Sequence, residues 1–229
     1  MTGPSRGPHA GQPVLAAGEA PERATAGMVL LHGRGASAED ILTLVPELAA
    51  PDWAFLAPQA AGNTWYPNPF RAPIEANEPW LSSALDVIAG LLDHLGGAGL
   101  PPERVVLLGF SQGACLTLEF AARNARRYGG VAGLSGGVIG PDGAPREDRG
   151  SLAGTPVFLG CSDQDPHIPA YRVHHAADVL RELGAEVTAV LYPGLGHAVN
   201  GDEIEHVRGI MGRLVAAAGT GPERDGADR

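Results

Sequence analysis

An apolar run passes through a Gly-x-Ser-x-Gly turn into a helical pattern in the segment RVVLLGFSQGACLTLEFAAR, residues 104–123. The near-continuous apolar run at 104–110 is typical of a strand that is buried on both faces of a parallel sheet. The residues after the turn carry apolar side chains at helical spacing. This segment therefore predicts one strand–helix unit of a mainly parallel sheet.

The chain alternates in the same way on both sides of this segment. Apolar runs that predict further strands lie at 28–33, 53–58, 129–137, 155–161 and 186–192. Helical patterns open near Ser37, end near Leu95, fill 169–184 and run from about Asp202 to Ala217. We expect an α/β fold with helices on both faces of the sheet. Since the insertions between strands are short, no large cap domain is expected.

The length of 229 residues suits one domain with loose ends. Residues 1–26 are rich in Gly, Pro, Ala and Glu without a clear period, and we expect them to be flexible. Residues 219–229 predict a disordered tail. The α/β domain is therefore expected to span residues 27–218.

The basic residues exclude several kinds of enzyme, because all 16 of them are arginine. Schiff-base enzymes, pyridoxal phosphate enzymes, Ser-Lys dyads and Walker-type P-loops all need a lysine amine. The formal net charge of -10 argues against a nucleic-acid partner, since phosphate binding needs a surplus of cations. The remaining classes include hydrolases that use a serine and a histidine.

The chain carries no sign of a membrane span, a secretory leader or a disulfide framework. Cys115 and Cys161 lie in apolar runs and are expected to pack as small hydrophobic side chains. No apolar stretch reaches the roughly 18 residues that a spanning helix needs. The first residues lack the basic-then-apolar layout of a signal peptide, so a cytoplasmic location is expected.

Two pentapeptides match Gly-x-Ser-x-Gly, which presents a nucleophilic serine on a tight turn between a strand and a helix. Ser111 has an apolar strand pattern before it and a helical pattern after it. Ser135 also follows a strand pattern, but the residues after it predict a loop. The context favours Ser111 as the nucleophile, with Ser135 at the end of a neighbouring strand.

A serine nucleophile needs a general base and a carboxylate that orients that base. Among the eight histidines, His197 follows directly after a predicted strand, on a loop where the carboxyl ends of the strands meet. Asp163 and Asp165 both follow the preceding strand. The order Ser, Asp, His is that of the α/β hydrolases. Spacing alone leaves both aspartates open.

Four motifs in order resemble the carboxylesterase/phospholipase family of α/β hydrolases, which includes the acyl-protein thioesterases. They are LHGRG (31–35), GFSQGA (109–114), DPHIP (165–169) and GLGH (194–197). The resemblance extends from Met28 to about Leu214 and implies the α/β-hydrolase fold. The family places its catalytic aspartate in an Asp-Pro-x-[hydrophobic]-Pro pattern. Asp165 fits that pattern, which makes Asp163 a structural loop residue.

An acyl-transfer site also needs backbone N–H groups that stabilise the oxyanion of the tetrahedral intermediate. The residue after the nucleophile, Gln112, is one expected donor. The other is expected from the loop at 32–35, where glycines permit close approach of the backbone. The resemblance assigns this donor to Arg34, and His32 then shapes the loop.

The aromatic loop at 59–80 has two interpretations. Trp65, Tyr66 and their neighbours pack to hold a long loop in place, or they form an apolar wall of the substrate pocket together with Phe110. A metal site among Asp163, Asp165, His167, His174 and His175 is disfavoured. The reason is that His174 and His175 are adjacent in a predicted helix and point in different directions.

Together, these residues predict a serine carboxylesterase that needs no cofactor and no metal. The expected substrates are small-molecule esters with short-to-medium acyl or aryl groups. The resemblance implies acyl-protein thioesterase or lysophospholipase activity as the alternative. A catalytically idle protein that uses the same fold to bind a ligand is the alternative of another class. The family often forms homodimers, which leaves a homodimer open for this chain.

Overall fold

The computed structural model describes residues 7–219, apart from the side chains of 217–219. Seven strands of this part form one sheet in the order β1-β3-β2-β4-β5-β6-β7. Strands β2 to β7 are parallel to their neighbours, and β1 is antiparallel to β3. The strands are β1 (Val14–Gly18), β2 (Ala26–Leu31), β3 (Trp53–Pro58), β4 (Val105–Phe110), β5 (Gly130–Leu134), β6 (Pro156–Ser162) and β7 (Glu186–Tyr192).

Helices cover both faces of this sheet, as expected. Side chains of α3, α4 and α5 join the core on one face, and those of α1, α2 and α6 join the core on the other. The helices are α1 (Ala38–Leu42), α2 (Val45–Leu48), α3 (Trp80–Gly97), α4 (Gln112–Arg123), α5 (Ala170–Glu182) and α6 (Gly201–Gly219). Short 3-10 turns occupy Ala61–Asn63, Ile74–Asn77 and Pro102–Arg104.

The parallel order brings the predicted site residues to one edge of the sheet. The connections after β2, β4, β6 and β7 carry Arg34, Ser111, Asp165 and His197 respectively. Because parallel strands share one carboxyl edge, these side chains start from neighbouring positions. Within residues 7–219 the longest stretches without a strand or an α-helix, 59–79 and 135–155, are too short for a cap domain.

The structure corrects the expectation of flexibility for part of the segment 1–26. Residues 14–18 form the edge strand β1, which pairs from Val14 opposite Pro58 to Gly18 opposite Ala54. The strand was missed because it is only five residues long, between Pro13 and the turn at Glu19, and three of these residues are exposed. Residues 1–6 and 220–229 lie outside the described part of the chain, and with them most of the predicted tail.

His9 anchors this N-terminal segment to the loop after β3. Its buried ring donates from Nε2 to the carbonyl oxygen of Trp65 at 2.9 Å and accepts the backbone N–H of Ala61 at Nδ1, at 3.1 Å. The ring also lies 5.4 Å from the rings of both Trp65 and Trp80. Only a neutral imidazole can donate and accept in this way. Burial lowers the pKa of His9, against the opposing effect of its bond to the Trp65 carbonyl.

Glu203 lies fully buried in the first turn of α6. Its Oε2 accepts the backbone N–H of Asn200 at 2.9 Å, and Asn200 Oδ1 accepts the N–H of Glu203 at 3.0 Å. The other oxygen, Oε1, has no hydrogen-bond partner among the described residues and lies against Gly160 of β6. Burial raises the pKa of Glu203 to about 7, although the bond from Asn200 opposes this.

Replacing His9 with Ala is expected to lower the free energy of unfolding by about 2–4 kcal/mol, because two hydrogen bonds and a buried ring are lost. Urea denaturation measures this. His94→Ala, which removes an exposed imidazole from α3, should change the value by less than about 0.5 kcal/mol. Equal effects of the two substitutions would contradict the anchoring role of His9.

Glu203→Gln is expected to stabilise the protein at pH 8. A pKa raised from 4.5 to about 7 means that the folded state loses stability as the pH rises through this range. The neutral amide imitates the protonated acid, so the variant should gain about 1–2 kcal/mol at pH 8 and little at pH 5.

Urea denaturation at both pH values checks this expectation for Glu203. Glu205→Gln is the control, because its side chain is exposed and should show no such pH dependence. A parallel pH dependence of wild type and Glu203→Gln would contradict the assignment.

Candidate active site

Ser111 stands on a sharp turn between β4 and α4. Its φ of 55° and ψ of -119° are strained for a residue with a side chain. The flanking glycines permit this turn, since a Cβ at Gly113 would lie 2.1 Å from the carbonyl oxygen of Leu31. A Cβ at Gly109 would lie 2.3 Å from the carbonyl oxygen of Gly113. The turn therefore presents the serine side chain at the sheet edge, in front of the helix N-terminus.

A chain of two short hydrogen bonds joins the three residues predicted for catalysis. Ser111 Oγ lies 2.8 Å from His197 Nε2, and His197 Nδ1 lies 2.7 Å from Asp165 Oδ2. Since a carboxylate can only accept, Nδ1 carries the proton and Nε2 is left with a lone pair facing the serine. The arrangement can remove a proton from Ser111 Oγ.

Asp165 is held in a fully buried position. Its Oδ1 accepts the backbone N–H groups of His167 at 2.8 Å and Ile168 at 3.0 Å. Burial opposes its ionisation, but the hydrogen bonds from His197, His167 and Ile168 outweigh burial and hold the pKa of Asp165 below its usual value. The carboxyl is therefore charged at neutral pH and faces the imidazole, of which 19% is exposed.

The structure separates the two aspartates that spacing left open. Asp163 is exposed, and its Oδ1 accepts the backbone N–H of Gly194 at 2.9 Å. It thereby ties the loop that carries His197 to the end of β6, whereas Asp165 contacts the imidazole itself. These contacts agree with the structural role expected for Asp163.

Ser135 shares the strained backbone of Ser111 but not its surroundings. Its φ is also 55°. Ser135 follows the last residue of β5, and its N–H donates to the carbonyl oxygen of Gly160 in β6. The side chain is fully buried, and no α-helix begins after it before α5. Among the described residues, no hydrogen bond joins it to a histidine.

The backbone of residues 32–35 packs directly against Ser111, because a Cβ at Gly33 would lie 3.4 Å from the Cβ of Ser111. The Arg34 guanidinium donates to the carbonyl oxygens of Tyr66, Pro67 and Asn68, at 2.8–3.0 Å. These bonds fix the loop after β2 to the loop after β3, next to the nucleophile.

Gln112 fixes the same loop from the other side. Its side-chain Oε1 accepts the backbone N–H of Trp65 at 2.9 Å, and its Nε2 donates to the carbonyl of Tyr66 at 2.8 Å. Gln112 is the first residue of α4, so its backbone N–H lies immediately after Ser111. Both predicted oxyanion donors thus belong to segments that border the nucleophile.

A cavity of about 540 Å³ opens beside Ser111 and His197. Its wall is mostly apolar, with Tyr66, two prolines, Phe70 and Ile168, as is usual for small-molecule sites. The lining residues are Arg34, Tyr66, Pro67, Pro69, Phe70, Ser111, Gln112, Cys115, His167, Ile168 and His197.

The three residues predicted for the pocket wall lie in different surroundings. Tyr66 lines the cavity, but Trp65 is buried behind it, where its indole N–H donates to the His32 carbonyl at 2.9 Å. Phe110 is not a lining residue either, and its ring instead lies 5.0 Å from the ring of His197. The contacts of Trp65 are therefore those of a residue that packs the loop, whereas Tyr66 faces the cavity.

His32 holds the loop after β3 as His9 does, with one ring nitrogen donating to a backbone carbonyl and the other accepting a backbone N–H. Its Nδ1 donates to the carbonyl of Gly33 at 2.8 Å, and its Nε2 accepts the N–H of Ala60 at 3.1 Å. The rings of His9 and His32 lie 5.4 and 5.0 Å from that of Trp65. These contacts agree with the loop-shaping role expected for His32.

Several lining residues were not predicted from the sequence. Cys115 follows Ser111 by one helical turn, a spacing that could have identified it. Burial raises the pKa of Cys115 to about 11, so this thiol stays protonated at neutral pH. His167 lies with its ring 4.7 Å from that of His197. Pro67, Pro69 and Phe70 come from a loop without periodicity, which gave no signal.

Between residues 7 and 219, no three His, Cys, Asp or Glu side chains are placed so as to hold a metal ion together. No helix in this range combines the length and the apolar character that crossing a bilayer requires.

Comparison with known proteins identifies the family. Residues 11–212 match the family described as Phospholipase/Carboxylesterase. A crystal structure of a phospholipase/carboxylesterase from Dyadobacter fermentans is 40% identical, with a TM-score of 0.85 over 90% of this chain and 99% of that one.

Two curated relatives are more distant. Acyl-protein thioesterase 1 from Gibberella zeae is 32% identical over 50% of this chain and 49% of its own length. Probable carboxylesterase SOBER1-like from Arabidopsis thaliana is 26% identical over 77% and 74%. The chain thus spans about half the length of the first of these relatives. Because the family match covers most of the chain, this protein belongs to the phospholipase/carboxylesterase family of α/β hydrolases.

Proposed function

We propose that the protein is a serine carboxylesterase that hydrolyses esters with short-to-medium acyl or aryl groups through an acyl-enzyme. One observation carries the proposal: Ser111, His197 and Asp165 are joined by hydrogen bonds of 2.8 and 2.7 Å beside an apolar cavity. Membership of the phospholipase/carboxylesterase family supports the same class of reaction.

In the first half of the reaction, His197 Nε2 takes the proton of Ser111 as Oγ attacks the ester carbonyl carbon. The tetrahedral intermediate collapses when the imidazolium returns that proton to the leaving alcohol, which departs. Ser111 is left acylated. In the second half, His197 takes a proton from water, the hydroxide attacks the acyl carbonyl, and Ser111 Oγ leaves with the proton.

Asp165 stabilises the imidazolium that forms in each half-reaction. Its charge is maintained by the N–H groups of His167 and Ile168, and it keeps the Nδ1–H tautomer that leaves Nε2 free for the serine. Since the carboxylate is already in contact with the imidazole, no reorganisation is needed when charge develops.

The backbone N–H groups of Gln112 and Arg34 form the proposed oxyanion hole. Preorganised donors of this kind contribute about 3–4 kcal/mol each to stabilisation of the transition state. The side chains of both residues bond to the backbone of residues 65–68, which holds the two donor segments against each other. The site therefore resists relaxation when the carbonyl oxygen becomes negative.

The cavity volume of about 540 Å³ supports short-to-medium acyl or aryl groups as substrates. The Gibberella zeae relative is named an acyl-protein thioesterase, which makes hydrolysis of acyl-protein thioesters the second candidate. An idle ligand-binding protein is the third. A fluorophosphonate probe separates the last from both enzymes, because only an activated serine becomes labelled.

Ser111→Ala is expected to lower kcat at least about a thousandfold on p-nitrophenyl esters from acetate to palmitate, because no nucleophile remains. In the wild type, the chain-length optimum should fall among the shorter acyl groups. Ser135→Ala is the matched control and should retain kcat within a few-fold. Loss of activity in Ser135→Ala alone, with both variants folded by circular dichroism, would refute the assignment.

Asp165→Asn is expected to lower kcat about 10³- to 10⁴-fold, because the amide favours the wrong imidazole tautomer. Asp163→Asn should cost less than about tenfold, since Asp163 only ties a loop to β6. The same ester series measures both. If Asp163→Asn were the more damaging of the pair, the role of Asp165 would be wrong.

A further inference from the structure

The wall of the active-site cavity carries a charge of the opposite sign to that of the whole chain. The formal net charge of the protein is -10. The cavity wall nevertheless contains the guanidinium of Arg34, and no Asp or Glu is among the described residues that line it. A cleft lined by one sign of charge focuses its field on the ligand. The wall is therefore locally suited to an anion.

Arg34 keeps its full charge and some of its donors. The three groups that it contacts are backbone carbonyls, which accept hydrogen bonds without neutralising the charge. Among residues 7–219, no carboxylate forms an ion pair with it. A guanidinium has five N–H donors, so its three bonds to carbonyls leave donors for a ligand.

Two acidic side chains of the neighbouring loops, Asp165 and Asp40, bind partners other than Arg34. Asp165 is fully buried behind His197 and bonded to it, so it presents no oxygen to the cavity. Asp40 follows Arg34 closely in sequence, but its carboxylate accepts the N–H and the hydroxyl of Ser37 at the start of α1. The charge of Arg34 is thus left to face whatever enters the cavity.

Position also matters, because Arg34 and the reacting serine line the same cavity. The guanidinium is 6.0 Å from the centre of the Tyr66 ring, which forms part of the wall. The backbone next to Arg34 packs against Ser111, as the close approach of Gly33 indicates. A substrate of modest length can therefore place its ester at Ser111 and a second polar group at Arg34.

We infer that the site prefers esters that carry a carboxylate, which binds at the Arg34 guanidinium. The inference rests on the proposed esterase function and adds its substrate class. A carboxylate accepts a charge-assisted hydrogen bond from the remaining N–H donors, while a neutral ester of the same shape gains no such attraction. Because the guanidinium is fixed by three carbonyls, little side-chain entropy is lost on binding.

Two matched pairs of substrates test this inference on the two sides of the ester. Mono-p-nitrophenyl adipate and its neutral methyl ester differ in charge on the acyl side. Acetoxybenzoate, substituted at the meta position, and its methyl ester differ in charge on the leaving-group side. The readout is the ratio of kcat/KM for the anionic substrate to that for the neutral one, measured by release of the phenol.

Arg34→Met is expected to lower this ratio about tenfold for at least one pair, whereas Arg34→Lys should keep part of it because the charge remains. Since the backbone of Arg34 belongs to the proposed oxyanion hole, each variant is compared with its own rate on the neutral ester. Arg126→Met is the matched control, because it removes an exposed arginine beyond the far end of α4 and should leave the ratio unchanged.

Ionic strength provides a second readout that a purely structural role of Arg34 would not produce. Raising it from about 0.05 M to about 0.5 M screens the attraction and should lower the wild-type ratio but not that of Arg34→Met.

An unchanged ratio in Arg34→Met, with the neutral esters still hydrolysed, would overturn the carboxylate preference and leave the esterase function standing. A wild type that hydrolyses neither member of either pair would overturn both.

Discussion

The active site depends on the contact between the start of α4 and the end of β2. At this contact Gly113 lies so close to the Leu31 carbonyl that no side chain fits between them. The approach forces the strained backbone of Ser111 and at the same time brings residues 32–35 against its side chain. One steric constraint therefore positions the proposed nucleophile and the loop expected to stabilise its oxyanion.

The second requirement is that the loop after β3 stays in place, since it forms the cavity wall without regular structure of its own. Two buried imidazoles accept the consecutive N–H groups of Ala60 and Ala61, one from the end of β2 and one from the N-terminal segment. Both rings lie beside the indole of Trp65. The N-terminal residues therefore belong to the support of the site, which explains why a segment of unremarkable composition is ordered.

Sequence patterns were sufficient to predict strands and helices whose buried residues recur with a regular period. The strand at 105–110, with all but its last residue buried, and the helix after it follow from the apolar pattern, and so does the separation of Ser111 from Ser135. The edge strand β1 was not predicted, because it is short and its alternation of buried and exposed side chains is weak. The sequence could not distinguish Trp65 from Tyr66, because these neighbours lie in different surroundings: Tyr66 lines the cavity and Trp65 is buried against His32. Trp65 is held by contacts with His9 and His32, which are far from it in the sequence, and a local sequence pattern does not reveal such contacts.

The exclusive use of arginine bears on how this site can combine rigidity with charge. An ammonium is a compact point charge without a planar fork, whereas the guanidinium of Arg34 spans the carbonyls of Tyr66, Pro67 and Asn68 together. It does so with part of its N–H groups, and its carbonyl partners do not neutralise its charge. A single side chain can therefore hold the loop after β3 to the loop after β2 and, in the proposed role, also attract an anion. In a protein with a net charge of -10, that local positive charge is the basis of the proposed preference of the cavity for anionic esters.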